Sequence, residues 1–283
     1  MYFTAESAAL CLKEHTIKFS DLARCNDPFE CRGSSLDEKI PNYVQEIKSE
    51  CRVACFSEDN RSILMWAYYA DKHRGVCIEF DTSNDPIFFN ENSLYRVEYS
   101  NSFPIITTIN RENALKILLT KATCWEHENE VRLIMHEKQM CNNLLTINPQ
   151  AITAVIFGCN SGHYYSDIDS TRKDAIRNII NYLQRPAYNH IKIMQAKSDK
   201  DKYELEIKEV PFMVFQIDNA INIVSFKDQS ILLYDADSTL IYKAQSHKWE
   251  TMIFHLSYGK YYLSYEELKP MIDSICFEIK EDA

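Results

Sequence analysis

The segment WEHENEVRLIM, residues 125–135, decides how we expect the chain to fold. From Glu130 onward its polar and apolar residues largely alternate, as in a half-buried strand whose side chains point to opposite faces in turn. If the extended backbone begins at Glu128, then Glu128, Glu130 and Arg132 share one face, and Val131, Leu133 and Met135 face the core. The segment therefore predicts a core strand with a strongly charged second face.

That charged face has a chemical and a structural interpretation. Two carboxylates on one strand face, about 7 Å apart at their backbones, can orient a sugar hydroxyl or stabilise a cationic sugar carbon. Alternatively, Glu128 and Glu130 lie on a solvated strand face, where Arg132 neutralises them. The segment alone leaves both interpretations open.

Short strands and single helices surround this segment without regular strand–helix alternation. Toward the N-terminus the patterns predict strands at 2–4, 16–20, 52–57, 76–80 and 94–99, and helices at 8–13, 43–47, 63–70 and 113–123. Toward the C-terminus they predict strands at 154–157, 191–196 and 203–208, and a helix at 170–183. Such an arrangement favours an α+β fold with a mixed, largely antiparallel sheet and flanking helices.

Pro211 marks the domain boundary that we predict, between residues 1–210 and residues 211–283. The second part is expected to be a small C-terminal α+β appendage. Its pattern predicts strands at 212–216, 231–234 and 240–242, and a helix that is capped by Ser264 and runs to about Ile275.

The charge and hydropathy of the chain exclude some function classes. The formal net charge is −10, whereas a general duplex-binding protein needs many Lys and Arg side chains to neutralise phosphates. We therefore expect no general duplex binding. No apolar run reaches the roughly 18 residues that a membrane helix needs, so we expect no membrane association.

The ten cysteines are scattered, and no Cys-x-x-Cys spacing occurs. The start of the chain also lacks the basic region and apolar run of a signal peptide. We therefore expect reduced thiols in a cytoplasmic protein. Cys51 and Cys55 are the closest pair, but no paired histidines stand nearby at ligand spacing, so no metal site is predicted.

A second motif lies in residues 55–70, where a strand ends in a polar turn and an aromatic-rich helix follows. Ser57 stands at the strand end, and Ser62 is placed to cap the helix. A serine at a strand end and an aromatic side chain such as Trp66 or Tyr69 can frame a flat ring. The alternative is that the aromatic residues pack in the core.

Several motifs occur in a fixed order along the first 210 residues. They are NDPFE at 26–30, CFS at 55–57, LMWAYYAD at 64–71, HRGV at 73–76 and WEHENEVRL at 125–133. In this order and spacing the chain resembles the bacterial domain-of-unknown-function family numbered 2971. The family name itself supplies no activity.

The layout is also similar to the ADP-ribosyltransferase fold, which implies a split sheet. Enzymes of that fold carry a His, Tyr or Arg on a first core strand, a Ser or Tyr on a second, and a Glu on a later one. Here Tyr2, Ser57 and Glu130 take those places. The chain departs from the pattern in two ways, since Tyr2 has no neighbouring His or Arg and Cys55 replaces a second-strand Tyr.

This resemblance implies roles for individual residues, with NAD as the co-substrate. Glu130 is the implied catalytic carboxylate, which stabilises the oxocarbenium-like ribose as nicotinamide leaves. Glu128 fits the upstream position of a Glu-x-Glu form. The implied NAD-binding residues are Tyr2 and Thr4 for the adenosine ribose or nicotinamide amide, Ser57 on the second strand, Trp66 or Tyr69 for stacking on nicotinamide, and Arg132 for phosphates or acceptor.

Three functions follow as hypotheses. The first is an NAD-dependent ADP-ribosyltransferase, a toxin or anti-phage effector that modifies a protein or nucleic acid and has an antitoxin or defence-system partner. The second is a non-catalytic nucleotide-sensing or binding module on the same fold. The third, a hydrolase that uses Glu128 and Glu130 as acid and base, ranks last, because carboxylates two residues apart on a strand flank a bond poorly.

Overall fold

The computed structural model describes residues 1–24, 27–35, 40–90, 93–161, 170–183 and 185–209, and the backbone of four strands between 212 and 245. The described chain is α+β with mostly antiparallel sheets, as the sequence predicts. Among its helices none has the length and apolar character needed to cross a bilayer.

The described elements alternate irregularly along the chain. The helices are α1 (Ala5–Glu14), α2 (Ile40–Glu50), α3 (Ile63–Tyr69), α4 (Arg111–Leu119) and α5 (Ser170–Leu183). The strands up to residue 122 are β1 (Tyr2–Phe3), β2 (Thr16–Lys18), β3 (Ser20–Asp21), β4 (Cys51–Ser57), β5 (Val76–Phe80), β6 (Leu94–Arg96), β7 (Glu98–Ser100) and β8 (Thr120–Ala122). The later strands are β9 (Glu130–His136), β10 (Leu144–Thr146), β11 (Ile152–Phe157), β12 (Lys192–Ser198), β13 (Leu205–Glu209), β14 (Phe212–Ile217), β15 (Ala220–Ser225), β16 (Ser230–Tyr234) and β17 (Leu240–Gln245).

Two sheets organise the part of the chain that carries the motifs. The first has the order β1-β5-β11-β12-β13, and only its β11–β12 pair is parallel. The second has the order β3-β4-β9-β6 and is antiparallel. Strands β2 with β10 and β7 with β8 form two small ribbons, and β14–β17 form a separate antiparallel meander. The division of the chain at Pro211 stays a prediction.

Alternate residues of β4 and β9 face two different cores, as the period of a strand requires. Ala54 and its ladder partner Leu133 belong to the large core that contains α1 and α5. Val53 and its partner Ile134 face a smaller core, which α2 and α4 cover. The central strands of the second sheet are therefore packed on both faces.

The helix N-termini follow sequence signals. The Ser62 side chain accepts a hydrogen bond from the Met65 amide, and Asn110 does the same for Asn113 at the start of α4. Thr4 caps α1 by accepting from the Ser7 amide. These side chains satisfy amide groups that the first turn of a helix leaves without a partner.

Most predicted elements differ from the structure by a few residues at their ends, β10 was not predicted, and three elements differ more. The strand predicted at 16–20 is divided at Phe19, because β2 pairs with β10 whereas β3 pairs with β4. The strand predicted at 94–99 is divided at Val97, because β6 pairs with β9 whereas β7 pairs with β8. The helix predicted at 113–123 ends at Leu119, where the chain becomes extended and joins that ribbon. In the C-terminal part β15 was not predicted, and the predicted helix from Ser264 to Ile275 lies outside the described residues.

The turn after helix α3 contains three consecutive left-handed residues, Asp71, Lys72 and His73, with φ of 46°, 57° and 64°. Such backbone is costly for residues other than glycine. Amide groups of this turn donate back to carbonyls at the end of α3, and the Gly75 amide donates to Ala70 over 2.8 Å. This closure places Gly75, the residue before β5, directly against β1.

Gly75 leaves no room for a side chain. A Cβ atom at this position would lie 2.1 Å from the Phe3 carbonyl oxygen. We expect Gly75→Ala to lower the free energy of unfolding by more than about 3 kcal/mol, because backbone rather than a side chain would have to move. Urea denaturation measures the change. Gly33→Ala is the matched control, since the closest atom there, 2.8 Å away, belongs to the Ile106 side chain. An equal loss in both variants would contradict the argument.

Candidate functional site

Residues 27–30 of the NDPFE motif pack against the charged segment 125–132. The indole Nε1–H of Trp125 donates to Asp27 Oδ2 over 2.9 Å. Arg132 Nη2 donates to Glu30 Oε1 over 2.6 Å. Two motifs about 100 residues apart in sequence are therefore in direct polar contact.

Five buried charges form what we call the ionic cluster: Glu30, Lys121, Glu128, Glu130 and Arg132. Each side chain is at most 8% exposed. Arg132 Nε lies 2.8 Å from Glu130 Oε1, and Lys121 Nζ lies 3.0 Å from Glu130 Oε2. Lys121 also pairs with Glu128 and lies 3.8 Å from Glu30. Three carboxylates and two cations leave the cluster with one excess negative charge.

Two tyrosines also contact the ionic cluster. The Tyr69 hydroxyl donates to Glu128 Oε1 over 2.7 Å, which links α3 to the cluster. The Tyr99 hydroxyl accepts from the Glu130 amide over 2.9 Å. The predicted role of Tyr69 in stacking on nicotinamide therefore competes with a hydrogen bond that already orients its ring.

The pKa values follow from this geometry. Burial by itself would raise the pKa of Glu130, but Arg132 and Lys121 outweigh it and lower this pKa to about 2. Burial would likewise lower the pKa of Lys121 and of Arg132, but the carboxylates of the cluster, Glu130 first, raise both. Mutual pairing thus keeps Glu130 and both cations ionised at neutral pH.

The structure brings Ser57 next to the implied catalytic residue. Ser57 is the ladder partner of Glu130 in the β4–β9 pair. Its hydroxyl donates to the Glu128 carbonyl over 2.7 Å, and the Glu58 amide donates to the Asn129 carbonyl over 3.0 Å. The loop that follows β4 is therefore fixed to the backbone that leads into β9.

The Tyr2 and Trp66 rings pack in the core and do not lie on the surface. Both rings are buried and meet edge to face, with centroids 5.2 Å apart. The Tyr2 hydroxyl donates to the Asp59 carbonyl over 2.6 Å, and Trp66 Nε1 donates to the Asn60 carbonyl over 2.8 Å. These two hydrogen bonds join the loop after β4 to β1 and α3. Thr4, another predicted site residue, caps α1.

Cys55 shares a strand face with Glu130 and Arg132, and it is solvent-exposed. Protein nevertheless surrounds it closely, so burial, with the nearby Glu130 carboxylate, raises the pKa of its thiol. The face that carries the ionic cluster therefore opens to solvent at Cys55.

A cavity of about 960 Å³ lies on the opposite face of the second sheet, between β4, β9 and the first-sheet strand β5. Val131 lines it, whereas the neighbouring side chains Glu130 and Arg132 belong to the other face. Three phenylalanines with centroids 5.5 to 6.0 Å apart form its apolar wall: Phe56, Phe80 and Phe89.

The polar rim of this cavity comes mainly from the loop after β4. Its charged lining residues are Glu58, Asp59, Arg61, Glu79 and Arg96. Arg96 pairs with Glu58 at 2.6 Å, and Asn60 Nδ2 donates to Glu79 Oε1. Arg61 is exposed, and its backbone amide donates to Asp59 Oδ1 over 2.7 Å. Of the predicted site residues, Ser57 lines this cavity.

Sequence reasoning did not assign Glu30, Lys121, Arg61 or Glu79 to a site. Glu30 was visible as the last residue of the NDPFE motif, and Arg61 as part of the polar turn after β4. Lys121 carried no signal, because its segment was predicted to be helical. Glu79 lies on a strand with few polar neighbours, and only the packing of the two sheets gives it a cavity.

The family model described as "Protein of unknown function (DUF2971)" matches residues 65–133. This range includes Lys121, Glu128, Glu130 and Arg132 of the ionic cluster. The resemblance to that family is confirmed over these residues, and the likeness to ADP-ribosyltransferases stays a prediction. The comparisons with curated proteins and with solved structures found no significant match.

We expect the ionic cluster to matter for stability through Arg132. Replacing it in Arg132→Leu leaves three buried carboxylates with one cation, so the free energy of unfolding should fall by about 3–5 kcal/mol. The matched control is Arg96→Leu, whose pair with Glu58 is exposed, and there the loss should stay below about 1 kcal/mol. Urea denaturation at pH 7 compares the two. Similar small losses would mean that the cluster adds little.

Acid should destabilise the protein through Glu130. Its pKa in the folded chain, about 2, is lower than its ordinary 4.5, so its contribution is present above pH 4.5 and lost as the pH falls toward 2. Denaturation curves between pH 7 and pH 2 should show a shallower pH dependence in Glu130→Gln than in the wild type. Glu98→Gln, at an exposed position of β7, is the control. An unchanged slope in Glu130→Gln would refute this assignment.

Proposed function

We propose that this chain is a nucleotide-binding module that takes NAD in the cavity between its two sheets. The observation that carries the proposal is the cavity itself, which joins an aromatic wall to a rim of guanidinium and carboxylate groups. Its volume of about 960 Å³ lies near the upper end of the range typical of small-molecule sites. A dinucleotide needs a site of this size.

Each part of NAD has a suitable partner in the lining. Phe80 and Phe89 offer apolar ring faces to a base. Arg61 and Arg96 are the cations that can bind the pyrophosphate, through charge-assisted hydrogen bonds.

The ionic cluster explains why binding is proposed ahead of catalysis. Both carboxylate oxygens of Glu130 already contact Arg132 or Lys121. Glu128 is similarly held by Tyr69 and Lys121. A ribose would have to displace these partners before either carboxylate could act on it, and removing a partner from a buried charge is costly.

ADP-ribosyl transfer from NAD is the second candidate, because Ser57 stands directly opposite an ionised Glu130 and the same face opens at Cys55. In this reaction the bond between nicotinamide and ribose C1′ breaks, and its electron pair leaves with nicotinamide. An acceptor nucleophile then bonds to C1′ and loses its proton. Glu130 would stabilise the cationic ribose, with Glu128 beside it.

The acceptor and biological setting belong to this second candidate. A protein or nucleic-acid acceptor, a toxin or anti-phage role, an antitoxin or defence-system partner and a cytoplasmic location all stay predictions from the sequence. None of them is needed for a module that only binds NAD.

Calorimetry with NAD tests the binding proposal. We expect saturable binding by the wild type, and affinity about 10-fold weaker in Arg61→Ala, because one charged hydrogen-bonding group to the pyrophosphate is lost. Arg32→Ala is the control, since Arg32 stacks on Phe29 away from this cavity. A folded wild-type protein that gives no binding with NAD would end the proposal.

A turnover assay separates the two candidates. Wild-type protein and Glu130→Gln are incubated with NAD and a cell lysate, and released nicotinamide is measured. The binding module predicts no release by either protein. Release by the wild type that disappears in Glu130→Gln, while this variant still binds NAD, would overturn the binding module. With labelled NAD, label on a lysate macromolecule would then distinguish transfer from hydrolysis.

A further inference from the structure

Glu79 is the carboxylate best placed to recognise an uncharged hydroxyl in the cavity. It lies on β5 and is half-buried, and it lines the cavity together with Phe80, whose side chain leaves the strand on the opposite face. Asn60 donates to its Oε1 atom and so fixes the carboxylate plane. An ionised carboxylate has about four acceptor positions, so one hydrogen bond from Asn60 leaves Glu79 with capacity to accept from a ligand.

The other carboxylates of the rim are less suited than Glu79 to fix the position of a ligand. Glu58 pairs with Arg96, and Asp59 Oδ1 accepts from the Arg61 amide. Both lie in the loop, whereas Glu79 belongs to a core strand whose position the first sheet fixes. A rigid acceptor discriminates between ligands better than one on an exposed side chain.

Arg61 lies close to Glu79 through the chain itself. Asn60, the residue before Arg61, is the one that holds Glu79. A cation and a hydrogen-bond acceptor therefore line neighbouring parts of one cavity. A ribonucleotide offers the complementary pair, since its phosphate and its ribose hydroxyls are also neighbours.

We infer that Glu79 accepts a hydrogen bond from a free ribose hydroxyl of the bound nucleotide, and that it excludes ligands with a phosphate at that position. The inference rests on the proposed function and specifies its ligand class. An acidic side chain accepts from a 2′-hydroxyl but repels a 2′-phosphate, which is how other dinucleotide sites separate NAD from NADP. Arg61 contributes affinity for the pyrophosphate common to both.

The test is calorimetry with NAD and with NADP on four proteins. These are the wild type, Glu79→Gln, Arg61→Ala and the exposed control Glu98→Gln. We expect the wild type to bind NAD at least about 10-fold more tightly than NADP, because the Glu79 carboxylate repels the 2′-phosphate. Among the four proteins, only Glu79→Gln lacks this charge. In that variant the preference should shrink to about 2-fold or less. Arg61→Ala should weaken both ligands by similar factors and keep their ratio.

The outcomes separate this inference from the function on which it rests. If Glu79→Gln still binds NAD and keeps the wild-type ratio of NAD to NADP affinity, the role of Glu79 is overturned and nucleotide binding stands. Failure of the wild type to bind either ligand would overturn both. If Glu79→Gln does not fold, Glu79→Asp keeps the charge on a shorter side chain, and we then expect weaker NAD binding with the preference retained. Wild-type affinity in Glu79→Asp would contradict the contact.

Discussion

The buried pairing of Glu130 with Arg132 and Lys121 is the interaction on which the rest of this structure depends. The three side chains come from β8 and β9, and Arg132 extends the pairing to Glu30 in the turn after residue 26. Burying five charges has a large desolvation cost, which is offset only when every charge has close partners. The cluster therefore requires all of these segments to be in place together, and that requirement selects one arrangement of them.

The ionic cluster also determines the position of the cavity on the other side of the second sheet. Glu128 and Asn129, which lead into β9, accept hydrogen bonds from Ser57 and Glu58 through their carbonyls. The loop after β4 is held in this way on one side, and Tyr2 and Trp66 hold it on the other. Arg61 and Asn60 then project into the cavity from a loop that is fixed at several points. Preorganisation of this kind reduces the entropy lost when a ligand binds.

The alternatives left open by the sequence are decided by burial. The charged side chains of residues 128–132 form neither a solvated strand face nor a freely accessible pair of carboxylates, since Glu128, Glu130 and Arg132 are at most 4% exposed. Glu128 ends a 3-10 helix, and the strand begins at Glu130. Periodicity correctly placed Glu130 and Arg132 on one face and Leu133 in the core. It could not show what covers that face. Glu30 comes from a segment about 100 residues away in sequence, and Lys121 comes from a segment that was wrongly predicted to be helical.

By itself the sequence determined the α+β class, most of the strands up to residue 209, the N-cap of α3 at Ser62 and the resemblance to a family. Those features depend on local periodicity and on side chains that bond to their own neighbours in the chain. Only the tertiary structure decided that the motifs meet in one ionic cluster, that Trp66 is core, and that Arg61 and Glu79 share a cavity. These outcomes depend on which distant segments pack together and exclude water. The local periodicity of the sequence carries no information about that packing.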